Sequence, residues 1–330
     1  MGVVISGLGV GIPQQVLTNL DLEKLVDTSD EWIRTRTGIR ERRIAAEGES
    51  TSDFALAASR QAIAAAGLLP TDIDLIIVAT ITNDMPWPAL ACQLQDRLAA
   101  RMVPSFDVSA GCTGFIYSLW VANQAIRAGG ASNVLVVGAD TLSRITDWED
   151  RATCVLFGDG AGAAVLSRSE NEEDFLSFRL GSDGSGAPLL CLPAGGSRQP
   201  TSHETVDARL HYVKMNGAEV FKFAVRIMAE AAVQVMEMAG VKPEDVACFI
   251  PHQANSRIIE AAAKRVGISM DKVFVNVDRY GNTSAASIPI ALYEAEHEGR
   301  IKPGDIVVLV GFGAGLTWGA SVLRWPGNNG

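Results

Sequence analysis

The feature that most constrains this fold is an internal duplication. Three segments recur in the same order, so that AAAGLLPTDIDLIIVAT (64–80) resembles EMAGVKPEDVACFIPH (237–252), NVLVVGAD (133–140) resembles DIVVLVGFG (305–313), and GAAVL (162–166) resembles GASVL (319–323). Pro70 and Pro243 are 173 positions apart, and so are Gly138 and Gly311. Two copies of about 170 residues predict two α/β halves related by a pseudo-twofold axis rather than a solenoid.

Each half alternates apolar runs with alanine-rich segments, which is typical of α/β architecture. We predict strands at 3–9, 73–80, 104–108, 134–139, 162–167, 246–250, 273–277, 306–310 and 318–324, and helices at 52–66, 87–100, 112–128, 217–239, 255–266 and 283–297. The polar stretch after Ser167, and the Gly/Pro/Ser-rich region through about Thr205, are predicted to be loop. We assign 1–170 to the first half and 171–330 to the second, packed as one unit. A functional site is expected where the halves meet.

Composition narrows the functional classes. The formal net charge of −10 argues against a general binder of nucleic acid or of anionic membranes. Five scattered cysteines without a CxxC pair predict neither a disulfide framework nor a zinc site, and they fit a reducing cytoplasm. The uncharged run 306–323 is about as long as a membrane span. Its four glycines favour two buried strands joined by a turn.

Cys112 is the first candidate for catalysis. In SFDVSAGCTGF it follows a short strand and a glycine turn, at the predicted start of helix 112–128. The unpaired N–H groups and the positive dipole end of a first helical turn stabilise a thiolate. Two interpretations stay open at this point, a nucleophile on a turn and an inert buried cysteine.

His252 and Asn282 are the other polar candidates. His252 follows predicted strand 246–250, at the carboxyl end where open α/β sheets place their sites, although a core histidine bonded to backbone is the alternative. Asn282 follows a glycine turn and by itself indicates an N-cap for helix 283–297. It lies 170 positions after Cys112, near the pseudo-twofold equivalent of that residue. We therefore expect the three side chains to converge between the halves.

The glycine-rich segments favour a backbone role over a cofactor role. GLGVG (7–11) follows a strand, but Ile12-Pro13 comes next, so no helix opens there as a dinucleotide fingerprint requires. GDGAGA (158–163) and GFGAGLTWG (311–319) also lack the fingerprint spacing. The latter fits a close backbone approach to a reacting oxygen, as an oxyanion-hole donor. No HExxH, calcium-loop or Walker motif is present, so neither a metal nor a cofactor is expected.

Taken together, the motifs resemble the β-ketoacyl-acyl carrier protein synthase III family of thiolase-like condensing enzymes. The resemblance covers essentially the whole chain and rests on TSDEWIRTRTGIRER (28–42), DVSAGCTGF (107–115), FGDGAGA (157–163), HQAN (252–255), YGNTSAAS (280–287) and GFGAGLTWG (311–319). It implies a five-layer αβαβα fold, a homodimer and a catalytic triad of Cys112, His252 and Asn282.

The resemblance also implies a reaction. A short acyl-CoA such as acetyl-CoA acylates Cys112, CoA leaves, and malonyl-acyl carrier protein enters. His252 and Asn282 donate hydrogen bonds to the enolate that forms as malonyl loses CO2. The enolate attacks the acyl thioester while the N–H groups of Cys112 and Gly313 hold the oxyanion. The products are 3-ketoacyl-acyl carrier protein, CoA and CO2, which is the initiating step of type II fatty acid synthesis, and CoA is a substrate rather than a cofactor.

Further site residues carry over from the family. CoA is expected to contact Thr28, Trp32, Arg36, Arg151, Gly217, Phe221 and Asn255. Within this set, Trp32 and Arg151 can stack on adenine and Arg36 can pair with phosphate. The acidic carrier protein is expected to dock on Lys214, Arg257 and Lys264, with ordinary solvated charges as the alternative.

Trp87 is expected to limit the acyl chain. It lies between two prolines, and in the family the matching position closes the partner subunit's acyl pocket, so a large side chain there implies short acyl groups. The alternative is that Trp87 is only dimer core. The sequence does not decide between acetyl and branched primers.

Related activities compete with this interpretation. Degradative thiolases need a second cysteine in the C-terminal glycine loop, which GFGAGLTWG lacks, and elongating synthases use a second histidine where this chain has Asn282. Type III polyketide synthases share the Cys-His-Asn set but lack the TSDEW…TRTG signature, and they remain the enzymatic alternative. A carrier-binding subunit with a dead site is the non-enzymatic alternative, which the presence of Cys112 disfavours.

Overall fold

The computed structural model describes residues 2–170 and 174–326, so the predicted boundary between the halves, at 170/171, adjoins residues outside the described chain. The strands are β1 Gly2–Gly11, β2 Gln15–Thr18, β3 Glu41–Ile44, β4 Leu75–Ala79, β5 Ser105–Val108, β6 Asn133–Thr141, β7 Asp159–Ser169, β8 Phe175–Ser182, β9 Leu190–Cys191, β10 Lys214–Met215, β11 Val246–Pro251, β12 Ile306–Gly313 and β13 Thr317–Arg324. The helices are α1 Asn19–Leu22, α2 Asp30–Thr37, α3 Thr51–Ala65, α4 Leu90–Arg97, α5 Gly114–Arg127, α6 Arg151–Cys154, α7 His203–Asp207, α8 Gly217–Ala239, α9 Ser256–Val266, α10 Val277–Tyr280 and α11 Ser287–His297.

Two central sheets have the same strand order. The first runs β1-β7-β6-β4-β5 and the second runs β8-β13-β12-β11. In both sheets the first strand of the half lies beside the last one, and that last strand is antiparallel to its neighbours on both sides. The parallel pairs, β4 with β6 and β11 with β12, are also equivalent. The repeated order agrees with the internal duplication.

The elements form five layers. Helices α3 and α4 cover the outer face of the first sheet, α5 and α11 lie between the two sheets, and α8 and α9 cover the outer face of the second. Both faces of each sheet are therefore covered, which is why a strand such as β4, with the sequence LIIVA, is buried along its whole length. The expected αβαβα fold is confirmed.

The GLGVG segment has a packing role within β1. A Cβ added to Gly7 would lie 2.2 Å from the Ala62 carbonyl oxygen, and one added to Gly9 would lie 2.2 Å from the Ala58 carbonyl oxygen. The glycines thus let the backbone of β1 contact the backbone of α3 directly. This contact accounts for the glycine spacing without a dinucleotide.

The run 306–323 forms two antiparallel strands, β12 and β13, as the glycine content predicts. Within the described residues, no helix is both long enough and apolar enough to cross a membrane.

The predicted strand at 273–277 is wrong. Only Val273 forms an isolated bridge, to Phe249, and α10 begins at Val277. Pro251 ends β11 without an N–H, so it cannot continue a ladder. The Gln253 side chain holds this segment instead. Its Nε2 donates to the Phe274 carbonyl at 3.1 Å, and its Oε1 accepts from the Asn276 N–H at 3.0 Å.

Strand β8 was not predicted, because the residues around it were interpreted as loop. In the structure β8 pairs with β13 and completes the second sheet. Its sequence FLSFRLGS alternates weakly and is buried only in part. Its position at the sheet edge is equivalent to that of β1 in the first sheet.

Candidate active site

Cys112 lies in a 3-10 turn, Gly111–Thr113, directly before α5. Gly111 has φ of 53°, in the left-handed region that favours glycine. The Thr113 hydroxyl donates to the Ala110 carbonyl at 2.7 Å and lies 2.7 Å from the Thr317 hydroxyl, at the start of β13. The turn that presents Cys112 is therefore bonded to the second half of the chain.

The environment of Cys112 keeps its thiol protonated. Burial raises the pKa of Cys112 to about 12, while the nearby Ser284 hydroxyl lowers the pKa and the negative charge of Asp140 raises it. The surroundings of Cys112 thus favour the thiol over the thiolate that a helix start alone would stabilise. Desolvation disfavours the charged form by more than the local N–H group favours it.

His252 directly follows β11, at the carboxyl end of the strand. Its backbone N–H donates to the Val310 carbonyl at 2.7 Å, and its Nδ1 lies 2.6 Å from the Ser287 hydroxyl oxygen. The ring meets Phe312 edge-on, with 5.7 Å between the ring centroids. Burial lowers the pKa of His252 to about 3, so the imidazole is neutral at physiological pH.

Asn282 is fixed through both its backbone and its side chain. Its N–H donates to the Leu156 carbonyl at 2.8 Å, and its carbonyl accepts from the Gly158 N–H at 3.0 Å. Its Oδ1 accepts from the Ser284 N–H at 2.9 Å, which leaves Nδ2 as the free donor of the amide. The N-cap of α11 is Ala286, so the interpretation of Asn282 as the cap of this helix is wrong.

The segments that carry these three residues meet in the middle layer. The turn Gly111–Thr113 contacts the 3-10 turn Ser284–Ala286 that follows Asn282. A Cβ added to Gly311 would lie 3.5 Å from the His252 Cβ and 3.7 Å from the Thr113 Cγ2. One added to Gly313 would lie 2.6 Å from the Cys112 nitrogen. The end of β12 thus runs along the backbone of Cys112 and beside His252.

Asp140, near the end of β6, bonds both the segment 80–82 and the turn Ser284–Ala286. Its Oδ1 accepts from the Ile81 N–H at 2.9 Å and from the hydroxyls of Thr80 and Thr82 at 3.1 and 2.8 Å. Its Oδ2 accepts from the Ala285 N–H at 3.2 Å. Burial raises the pKa of this carboxyl, and the Ile81 and Ala285 N–H groups and the Ser284 and Thr82 hydroxyls oppose that shift. Sequence reasoning did not single out Asp140, although it directly follows predicted strand 134–139, which is the kind of position that selected His252.

Known proteins are similar to this chain over nearly its whole length. Residues 106–184 match the family described as 3-oxoacyl-[acyl-carrier-protein (ACP)] synthase III, and residues 236–325 match the description of its C-terminal part. The chain is 57% identical over 321 residues to the β-ketoacyl-[acyl-carrier-protein] synthase III of Caldanaerobacter subterraneus subsp. tengcongensis and 58% identical over 321 residues to that of Symbiobacterium thermophilum, with 97% of each chain covered in both cases.

The chain belongs to the β-ketoacyl-acyl carrier protein synthase III family. It is therefore an acyltransferase, a condensing enzyme of the kind that initiates fatty acid synthesis. The crystal structure of 3-oxoacyl-[acyl-carrier-protein] synthase III from Aquifex aeolicus matches it with a TM-score of 0.91 and 52% identity, over 98% of this chain and 100% of that one.

Six of the seven residues expected to bind CoA in this synthase III chain form three sets of two. The Arg151 guanidinium lies 5.1 Å from the Trp32 ring centroid, and Arg151 also donates to the Asp27 carbonyl at 2.9 Å. The Asn255 amide donates to the Arg36 carbonyl at 3.0 Å, which links the start of α9 to α2.

The third set lies on α8. Gly217 is the first residue of this helix, and Phe221 lies one turn later, with the Arg257 guanidinium 5.5 Å from its ring centroid. Thr28, before α2, has a buried hydroxyl without a hydrogen-bond partner in the described chain.

The three cations expected to receive the carrier protein differ in their surroundings. Arg257 and Lys264 are exposed on α9, two turns apart. Lys214 lies in β10 with its ammonium 3.5 Å from the Asp147 carboxylate, which also pairs with Arg209. Its charge is thus compensated within the chain, whereas those on α9 face solvent.

Trp87 is 84% exposed and lies three residues before α4 rather than at the helix start. Its segment is anchored to the edge strand β5, because the Asp107 carboxylate accepts from the N–H groups of Leu90 and Ala91 at 2.7 and 2.9 Å.

Within the part of the chain that the structure describes, no group of three or more His, Cys, Asp or Glu side chains could hold a metal ion.

Proposed function

We propose that the chain condenses a short acyl-CoA, such as acetyl-CoA, with malonyl-acyl carrier protein to give 3-ketoacyl-acyl carrier protein, CoA and CO2. The observation that carries the proposal is the junction of the two halves, where the turn of Cys112 meets the segments of His252 and Asn282. One sulfur nucleophile and two neutral donors are the groups that this chemistry needs.

In the first half-reaction, the Cys112 sulfur attacks the thioester carbonyl of the acyl-CoA. Because burial raises the pKa of the thiol to about 12, we propose that its proton leaves as attack proceeds and ends on the sulfur of the departing CoA, which leaves as a thiol. The negative oxygen of the tetrahedral intermediate would lie between the N–H groups of Cys112 and Gly313, whose backbones run side by side. No group needs to be charged before the substrate arrives.

In the second half-reaction, malonyl loses CO2 and leaves an enolate, which attacks the acyl group on Cys112. His252 and Asn282 would donate to the enolate oxygen. Both are suited to that role, because the imidazole is neutral and the Asn282 Oδ1 already accepts from the Ser284 N–H, so that Nδ2 would be available to the substrate. Neutral donors keep the same protonation state from one turnover to the next.

We propose that CoA and the carrier protein approach along the α2, α8 and α9 side. Trp32, Arg36, Arg151 and Phe221 would hold the CoA nucleotide and its linker, with Thr28, Gly217 and Asn255 supplying the surrounding contacts. Arg257 and Lys264 would receive the acidic carrier. Lys214 is less suited, because its ammonium already pairs with Asp147.

We further propose a homodimer formed along β5. This strand is an unpaired sheet edge in the described chain, and large apolar side chains are exposed beside it, namely Ile81, Met85, Trp87, Met102 and Phe106. An apolar sheet edge of this kind favours pairing with a second copy. In the dimer Trp87 would close the acyl pocket of the partner.

All five cysteines are unpaired, which supports a reducing compartment such as the cytoplasm.

The two half-reactions provide the test. Asn282→Ala should still accept an acetyl group from acetyl-CoA within a few-fold of the wild-type rate. Release of CO2 from the malonyl thioester should fall by about 10²–10³-fold, the usual effect of removing one such donor. Asn133→Ala is the control, because it removes two side-chain amide contacts at the first residue of β6, at the end of the strand away from Asp140, and should leave both steps unchanged. Near wild-type condensation by Asn282→Ala would reject the assignment.

A further inference from the structure

The Ser287 hydroxyl contacts the His252 ring at Nδ1. Ser287 is the first residue of α11, and its Oγ lies 2.6 Å from the His252 Nδ1. The same oxygen accepts the Gln253 backbone N–H at 3.4 Å. His252 is 1% exposed and Ser287 is 2% exposed, so solvent does not compete for these contacts.

Only one placement of the protons satisfies all of these groups. If the Ser287 hydroxyl donates to Nδ1, its oxygen remains free to accept the Gln253 N–H, and the ring proton of the neutral imidazole is on Nε2. If Nδ1–H donated to Ser287 instead, the hydroxyl proton would have no acceptor among the contacts that the structure records for it. A buried donor without a partner is strongly disfavoured.

The N–H that Ser287 accepts is itself held in place. The Gln253 side-chain amide donates to the carbonyls of Pro251 and Phe274 at 2.7 and 3.1 Å, and its Oε1 accepts from the Asn276 N–H at 3.0 Å. The residue after His252 therefore cannot turn its N–H away from Ser287. The segment thus dictates the direction in which the Ser287 proton points.

We propose that Ser287 is a positioning residue that fixes His252 as its Nε2–H tautomer. This inference rests on the proposed function, in which His252 donates a hydrogen bond to the enolate oxygen. Nδ1 is engaged by Ser287, so Nε2 is the nitrogen that can face the substrate, and it can donate only when it carries the proton.

The test compares Ser287→Thr with Ser287→Val. The two variants place nearly the same volume in the same buried site, and only threonine keeps the hydroxyl. Protein labelled with 15N-histidine reports which ring nitrogen carries the proton, and the His252 signals are the ones missing from His252→Ala. We expect wild type and Ser287→Thr to show a protonated Nε2 and a bare Nδ1, and Ser287→Val to lose this pattern.

Rates measured on the same proteins separate this inference from the proposed function. Decarboxylation of the malonyl thioester by Ser287→Val should be at least about tenfold slower than by Ser287→Thr, while acetyl transfer to Cys112 stays within a few-fold. Ser59→Ala, which removes a buried hydroxyl that donates to the Ala55 carbonyl in the outer helix α3, should change neither the His252 signals nor the rates.

Two results would overturn the inference: a protonated Nδ1 in the wild type, or an unchanged Nε2–H pattern in Ser287→Val. If the pattern is lost in Ser287→Val but decarboxylation is not slowed, the positioning role stands and the catalytic role proposed for His252 fails.

Discussion

Substitution of Gly313 by alanine should slow acyl transfer without unfolding the protein. The added Cβ would lie 2.6 Å from the Cys112 nitrogen and 3.3 Å from its Cα, and all of these neighbours belong to backbone that no rotamer change can move. Ordinary contact begins near 3.4 Å, so the two backbones must separate by roughly 0.8 Å. A displacement of that order at a catalytic group costs about 10²-fold in rate, and overpacking costs about 1–3 kcal/mol of stability.

The assay follows the first-order transfer of labelled acetyl from acetyl-CoA to the protein, together with thermal unfolding. We expect Gly313→Ala to transfer acetyl about 10²-fold more slowly and to unfold a few degrees lower. Gly184→Ala is the matched control, because no atom lies within 4 Å of the added Cβ, and it should behave as wild type. If Gly313→Ala transferred acetyl at the wild-type rate, the close backbone contact would have no part in acyl transfer.

Three further outcomes are expected. Because burial raises the pKa of Cys112 to about 12, its rate of alkylation by iodoacetamide should rise about tenfold per pH unit between pH 7 and 9, and acyl-CoA should protect it. Peptide mapping identifies the alkylated cysteine, and a rate that reaches a plateau in this range would indicate a preformed thiolate. Arg257→Glu should raise the apparent KM for malonyl-carrier about tenfold and leave acyl-CoA transfer nearly unchanged. Lys302→Glu, which reverses an exposed charge in the loop before β12, should alter neither, and equal losses in both steps of Arg257→Glu would contradict a carrier-docking role. Trp87→Ala should gain activity on octanoyl-CoA relative to acetyl-CoA, since a filled pocket imposes overpacking costs on long chains, and an unchanged chain-length profile would contradict its role in the acyl pocket.

The layered fold could be predicted from the sequence because its strands are nearly continuous apolar runs that recur in two copies. Segment 273–277 also has the composition of a strand, but Pro251 cannot donate to it and the Gln253 side chain bonds it instead. Strand β8 has little alternation to detect, since it lies at a sheet edge and is covered only in part. Both errors depend on partners that are far away in the chain.

In the candidate site, too, local sequence patterns reveal some residues, whereas others depend on distant contacts. The three triad residues could be selected because each follows a predicted strand, Cys112 and Asn282 after a glycine turn and His252 directly. The groups that tune them were not selected, since their effects depend on contacts with residues distant in the chain: Asp140 and Ser284 act on Cys112, and Ser287 contacts His252. The protonated state of Cys112 also depends on burial, which overrides the local effect of the helix start.

The most direct test is to identify the residue that carries the acyl group. The protein is mixed with labelled acetyl-CoA, quenched in acid and digested, and the labelled peptide is sequenced before and after addition of malonyl-acyl carrier protein. We expect one acetyl group per chain on Cys112, and its loss as acetoacetyl-carrier forms. A label on any other residue, or a label on Cys112 that malonyl-carrier does not remove, would contradict covalent catalysis by Cys112.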